Sequence, residues 1–282
     1  ATLALEHAGL IMPGFTHMQV AQPVTFGHHL LAYCEMFDRD AQRLRDARKR
    51  LNRLPLGAGA LAGTTFAIRR EQVARDLAFD GLCDNSIDAV SDRDFAIEFC
   101  ACASVAMMHL SRLSEELVLW MSPRFGFITL PDRFCTGSSM MPQKLNPGVV
   151  MTARAKASDV VASTQLMLLR AHNITPGMTD YKAAFEPSKT FVWGVEMLNQ
   201  FNGVMKALRI DGKRSLEELN GDWTTSMELA ETLQRLHQVP FRVGHHFATV
   251  VVNHAKANNW LPHQFPYAEG VKLYAESAQK YG

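Results

Sequence analysis

The sequence predicts an all-α protein, a bundle of long helices followed by a smaller helical domain. Apolar residues recur at intervals of three, four and seven over long stretches, strand-like alternation is scarce, and the helical runs are too apolar for one chain to cover. The expected division is a central helical-bundle domain over residues 1–209 and a small C-terminal helical domain over residues 210–282. The first is expected to lack its N-terminal part, because the chain opens without methionine inside a helical pattern, Ala1 to Ala8. The second is expected to be incomplete, because the chain stops at Gly282 directly after the helix-like run Val271 to Lys280.

In chain order, Pro13-Gly14-Phe15-Thr16-His17 and Gln22-Pro23 read as a polar turn ahead of a helix from about Phe26 to Asn52. Leu30, Phe37, Leu44 and Leu51 recur every seven residues as a bundle seam, and the charge-laced half, Asp38 to Arg50, reads as a solvated face. The run Leu54 to Gly63 has neither the preceding strand nor the spacing of a dinucleotide fingerprint, so its glycines read as close packing between helices. A short helix spans about Arg70 to Ala78, and Asp84-Asn85-Ser86 marks a turn. From Asp92 to Met121 the row Phe95, Phe99, Cys102, Ala106, Leu113, Leu117 and Trp120 steps by three or four, with His109 beside it. Phe125 to Pro131 suits a short strand. Helices follow over about Pro147–Arg170, Pro187–Leu208, Thr225–His237 and Phe241–Asn258, with a polar connection from Ala171 to Phe185 and a break at Asp211-Gly212.

With 282 residues, 47% hydrophobic and 20% charged, the chain can bury a sizeable core. Lys plus Arg number 29 against 28 Asp plus Glu, a net charge of +1, so bulk charge attracts neither nucleic acid nor a membrane surface. The odd set Cys34, Cys83, Cys100, Cys102 and Cys135 lacks metal-site spacing and reads as reduced cytoplasmic thiols. Neither a signal peptide nor a membrane span is expected, since no uninterrupted apolar run is long enough to cross a bilayer. His28-His29 and His245-His246 are adjacent pairs, which point about 100° apart on a helix, and no other spacing resembles a metal site.

The candidate chemistry lies in Thr136 to Pro147, a polar, glycine-started loop between two apolar helical segments. Asn146 suits a helix cap and Pro147 a first helical turn, which would aim a positive helix end at the loop's hydroxyls, lysine and amides. Ser138, Ser139 and Lys144 also suit ordinary turn positions, and His17 also suits a structural cap. Ser138 does not sit in the strand-to-helix elbow of a serine hydrolase. Abstraction of a proton next to a carboxylate fits better: cationic and N–H donors that stabilise a serine alkoxide also hold the dianion formed at carbon.

The run Gly137-Ser138-Ser139-Met140-Met141-Pro142-Gln143-Lys144-Leu145-Asn146-Pro147 resembles the signature loop of the fumarase/aspartase superfamily, G-S-S-x-M-P-x-K-x-N-P. With Met12 to Gln19, Ala21-Gln22-Pro23, Leu54 to Thr65 and Asp88 to Phe95, it most resembles the argininosuccinate lyase family within that superfamily. The resemblance implies a fumarase/aspartase-type helical bundle and a homotetramer with active sites shared between subunits. It also implies cofactor-free anti elimination of fumarate from an N-substituted aspartate, foremost argininosuccinate. By position, Ser138 is the implied base, Ser139, Lys144 and Asn146 bind the substrate carboxylates, and Gln143 belongs to the substrate-binding set. Thr16 and His17 hold the succinyl moiety and assist the departing nitrogen, and Tyr181 and Lys182 fall in the segment that recognises the amine half. Where the family carries K-K-N-P-D, this chain has Lys144-Leu145-Asn146-Pro147-Gly148, and Met151 replaces a glutamate that pairs with a histidine of another subunit. These departures bring aminopolycarboxylate lyases, such as ethylenediamine-disuccinate lyase, into view as an alternative. A silent crystallin-like structural protein is a further alternative, against which the retained Ser138, Lys144, Asn146 and His17 argue.

Overall fold

A computed structural model describes residues 1–177 and 187–281. In chain order the elements are α1 (Thr2–Glu6), β1 (Ile11–Thr16), β2 (Gln19–Thr25), α2 (Phe26–Leu51), β3 (Arg53–Leu54), α3 (Arg70–Asp76) and β4 (Gly81–Leu82). Then come α4 (Ser86–Ser91), α5 (Asp94–Met121), β5 (Ile128–Thr129), β6 (Thr136–Gly137), β7 (Leu145–Asn146), α6 (Gly148–Ala171) and α7 (Pro187–Ala207). The last are α8 (Gly212–Asn220), α9 (Ser226–His237), α10 (Phe241–Ala257) and α11 (Tyr267–Tyr281). Helices dominate, as the periodicity predicts.

Two compact units emerge, one of residues 1–31, 123–129 and 210–282, the other of residues 32–122 and 130–209. The units meet at 209/210, and residues 1–31 and 123–129 group with the C-terminal helices. In that unit β1 and β2 form an antiparallel hairpin where only a polar turn was expected. His17 and Met18 make its two-residue connection with φ of 51° and 62°, the left-handed geometry that matches strand twist. Neither residue is a typical turn former, so local propensity hid the hairpin. Phe15 packs edge-on against Phe125 at 5.7 Å, and Met12 and Phe127 are fully buried. Helix α8, absent from the sequence reading, begins where Asp211 accepts the Arg214 N–H at 2.9 Å. Among the C-terminal helices, Phe247, Val251 and Leu273 form a core bordered by Trp223, Phe265 and Tyr274.

The second unit holds the long helices. On α6, Val150, Ala153, Ala157, Val160 and Met167 are buried at steps that keep one face toward its neighbours, and α6 packs against α5 and α7. Small residues let the chains approach: the Ser104 and Thr164 hydroxyls lie 2.6 Å apart, and Thr164 donates to the Cys100 carbonyl at 2.9 Å. Along α5 the buried row is Ala96, Cys100, Met107, Leu110, Leu113, Leu117 and Trp120. The expected row is correct from Leu113 onward, but Phe95 is exposed at the other end. Small side chains around the first half of α5 leave its rotation undetermined by periodicity. Helix α5 is long and apolar enough, by length and composition, to cross a membrane, where no uninterrupted apolar run of that length was expected.

Helix α2 departs from its expected seam. Tyr33, Asp40 and Ala47 are buried, whereas Leu51 is exposed. Asp40, expected on a solvated face, accepts a hydrogen bond from His109 Nδ1 at 2.7 Å and another from Arg43 at 2.9 Å. Tyr33 donates to Glu116 at 2.7 Å; burial first, then that carboxylate, pushes its phenol upward, so it remains a donor. Between β3 and α3, Gly57, Gly59 and Gly63 have φ of 92°, 61° and 85°, so these glycines serve loop conformation, not the expected helix packing. Asn85, expected in a turn, caps α4 by accepting the Ile87 and Asp88 N–H groups. All five cysteines are free.

Candidate active site

Strands β6 and β7 pair antiparallel, Thr136 opposite Asn146 and Gly137 opposite Leu145, and so close the loop 138–144 at its base. Within the loop Ser138 Oγ accepts the backbone N–H of Met140 at 3.3 Å and of Met141 at 3.1 Å. The Lys144 N–H donates to the Met141 carbonyl at 3.0 Å, which turns the chain back toward β7. Ser138 and Asn146 are half-buried, and Ser139, Gln143 and Lys144 are exposed.

Asn146 does not cap α6. Its Nδ2 donates to the Thr136 carbonyl at 3.2 Å, because pairing with β6 holds it in the ladder, and Pro147 takes the cap position in place of the first turn. Helix α6 starts against β6: a Cβ on Gly148 would lie 2.2 Å from Thr136 Oγ1. Cys135, just ahead of the loop, has its thiol pushed up by burial and then by Asp132, so it stays protonated and offers no thiolate.

Thr16 and His17 are exposed at the tip of the β1–β2 hairpin, in the first unit, while Ser138, Ser139, Gln143, Lys144 and Asn146 belong to the second. The hairpin therefore brings Thr16 and His17 together, and the β6–β7 loop brings the other five together. Tyr181 and Lys182 lie outside the described residues. The two backbone donors to Ser138 were missed, although a serine ahead of two free N–H groups is the signature of a serine turn.

The motif Asp88 to Phe95 runs from α4 into α5. A cavity of about 390 Å³ is lined there by Asn85, Asp88, Ser91, Asp92 and Arg93 together with Ala171 and Ile174. The Asp92 carboxylate raises the Asp94 carboxyl above its usual range, and partial burial adds to this. A larger cavity of about 590 Å³ is lined by apolar side chains of α2, α5 and α7, including Phe95, Phe99 and Phe191, and includes none of the loop residues. Among the described residues no three His, Cys, Asp or Glu side chains converge in a metal-binding group.

Residues 1–162 match the family model described as lyase. The chain is 56% identical over 261 residues to an argininosuccinate lyase of Bordetella avium, an alignment covering 90% of this chain and 54% of that protein. It is 73% identical over 158 residues to an argininosuccinate lyase of Polynucleobacter necessarius, covering 56% of this chain and 34% of the relative. The chain thus spans about half the length of the first of these curated relatives. Among solved structures, an EDDS lyase variant with bound fumarate superposes with a TM-score of 0.90 at 27% identity, over 98% of this chain and 55% of that one. A class II fumarase from Schistosoma mansoni shares the fold, with a TM-score of 0.75 at 19% identity over 91% of this chain and 57% of that one. A family model covering more than half of the sequence, on the fold seen here, establishes that the chain belongs to the lyase family of the fumarase/aspartase superfamily.

Proposed function

We propose that this chain carries the elimination machinery of a carbon–nitrogen lyase that releases fumarate from an N-substituted aspartate, with argininosuccinate giving arginine and fumarate. The observation that carries the proposal is the state of Ser138. Its Oγ accepts two backbone N–H groups inside the loop that also bears Lys144. A serine hydroxyl is a poor base at neutral pH, and such donors stabilise the alkoxide that removes the Cβ proton. Lys144, Ser139, Gln143 and Asn146 then hold the carboxylates, where negative charge accumulates as the proton leaves. Thr16 and His17 assist the nitrogen as the Cα–N bond breaks, and Tyr181 and Lys182 serve the amine half. The elimination needs no redox cofactor: one proton and one amine depart and a double bond forms.

Argininosuccinate is favoured because the relatives at 56% and 73% identity bear that name. The fold match at a TM-score of 0.90 supports a second reading, an aminopolycarboxylate lyase of the EDDS type. A homotetramer with shared sites is proposed with either. Phe191, Val192, Val195 and Leu198 on α7 and Leu168 and Leu169 on α6 are exposed apolar residues of the kind that association of copies covers. The test supplies the full-length protein with argininosuccinate and with ethylenediamine-disuccinate and follows fumarate by ultraviolet absorbance. Release from argininosuccinate supports the first reading, release from the aminopolycarboxylate alone supports the second, and release from no N-substituted aspartate refutes both.

A further inference from the structure

The hairpin that carries Thr16 and His17 holds a backbone conformation that its residues do not favour. Among the described residues, those other than glycine with a positive φ are His17, Met18, Ala78, Asn173, Gln238 and Asn259. Ala78 and Gln238 follow the last turns of α3 and α9, where a left-handed residue closes a helix, and asparagine visits that region readily. His17 and Met18 differ: they are adjacent, and they join two strands. Histidine tolerates the left-handed region, but a methionine at φ 62° is an outlier. The pairing of β1 with β2 imposes it. Thr16 stands opposite Gln19, so two residues must reverse the chain, and a two-residue reversal that matches strand twist needs both of them left-handed. The strands behind the turn are fixed. Met12 and Pro13 are buried, a Cβ on Gly14 would lie 2.9 Å from the Gln22 carbonyl oxygen, and Phe15 packs on Phe125 and Phe127.

The direction of the His17 Cα–Cβ bond follows from the dihedrals of this turn, so a turn held in one state gives the imidazole one direction of departure from the chain. Backbone strain of this kind persists where the surrounding structure over-determines it, and it serves to preorganise a functional side chain. We propose that Met18 is a positioning residue whose left-handed backbone, and not its side chain, aims His17 at the departing nitrogen. The inference rests on the role given to His17 in the elimination reading above.

The test measures kcat and KM for fumarate release from argininosuccinate by the full-length enzyme, with each rate divided by the folded fraction from urea melts. The variants are His17→Ala, Met18→Asn, Met18→Val and one with a single glycine inserted after Met18. Asparagine accepts the left-handed region yet shares nothing with the methionine side chain, whereas valine stays apolar and its branched Cβ opposes φ 62°. The glycine insertion displaces His17 without a branched side chain, and hairpins accommodate three-residue connections. Removal of the imidazole in His17→Ala is expected to lower kcat by about 10²-fold or more. Met18→Val and the insertion are expected to lower kcat by about 10–100-fold with KM little changed, the scale of a displaced catalytic group. Met18→Asn is expected to keep kcat within about threefold of wild type. A merely structural role for Met18 would lower activity only in step with folded content. A loss of kcat in Met18→Asn, or wild-type kcat in both Met18→Val and the insertion, overturns the inference and leaves the elimination reading standing. Wild-type kcat in His17→Ala overturns the role of His17 and this inference with it, and no fumarate from the wild-type enzyme overturns the elimination of argininosuccinate itself.

Discussion

Replacing Asp40 by alanine tests whether the second unit is held in register by a polar contact that apolar patterning does not disclose. The Asp40 and His109 side chains are 4% and 10% exposed, and their contact is 2.7 Å. An ionised carboxylate only accepts hydrogen bonds, so His109 Nδ1 is the donor. Asp40→Ala leaves that donor buried without a partner, which costs about 1–3 kcal/mol. It also removes a charge-assisted bond to Arg43, whose side chain is 45% exposed, so water replaces that partner at a cost of about 0.5 kcal/mol. The sum is about 1.5–3.5 kcal/mol, read from urea denaturation followed by far-ultraviolet circular dichroism at fixed protein concentration. In a His109→Leu background the same Asp40→Ala change removes no partner from a histidine, and its cost falls by about 1–2 kcal/mol. Equal costs in both backgrounds, or a cost below about 0.5 kcal/mol in the wild type, would refute the reasoning.

Gly59→Ala forces a side chain onto a residue at φ 61° and within 2.4 Å of the Gly63 carbonyl oxygen, and is expected to cost about 1–3 kcal/mol, whereas Gly9→Ala, with nothing within 4 Å, is near neutral; thermal melts of the two variants check this. Asp94 has its folded pKa raised above the ordinary 3.8, first by Asp92, so its ionised form disfavours folding. The folded state therefore holds more protons than the unfolded one between the two values, and stability falls as pH rises through that window. Asp94→Asn is expected to add a few tenths of a kcal/mol at neutral pH, small because the residue is exposed, and to add nothing below about pH 3, as urea midpoints across pH show.

The long helices were legible because each buries a stripe at helical spacing, as Val150, Ala153, Ala157 and Val160 do on α6. Periodicity failed where its premise failed. Asp40 is buried within a charged run because a partner sixty-nine positions away hydrogen-bonds it, and no local window contains His109. The β1–β2 hairpin was hidden because His17 and Met18 adopt left-handed geometry without glycine or asparagine, held there by the strand pairing and the burial of Met12 and Pro13. At the candidate site, Ser138, Lys144 and Asn146 stood out as a polar run between apolar helices. The sequence did not disclose that Asn146 closes the loop against Thr136, or that two backbone N–H groups converge on Ser138, since both depend on how the loop returns to its own base.

The central claim is that Ser138 is the base of a fumarate-releasing elimination. It is tested most directly by the rate of fumarate formation from argininosuccinate with wild-type full-length enzyme and with Ser138→Ala, each at saturating substrate and equal folded content. Loss of a positioned base predicts a fall in kcat of about 10²–10⁴-fold with substrate binding retained. A Ser138→Ala enzyme that turns over within about threefold of wild type would contradict the account, because none of the donors gathered at this loop would then have an alkoxide to stabilise.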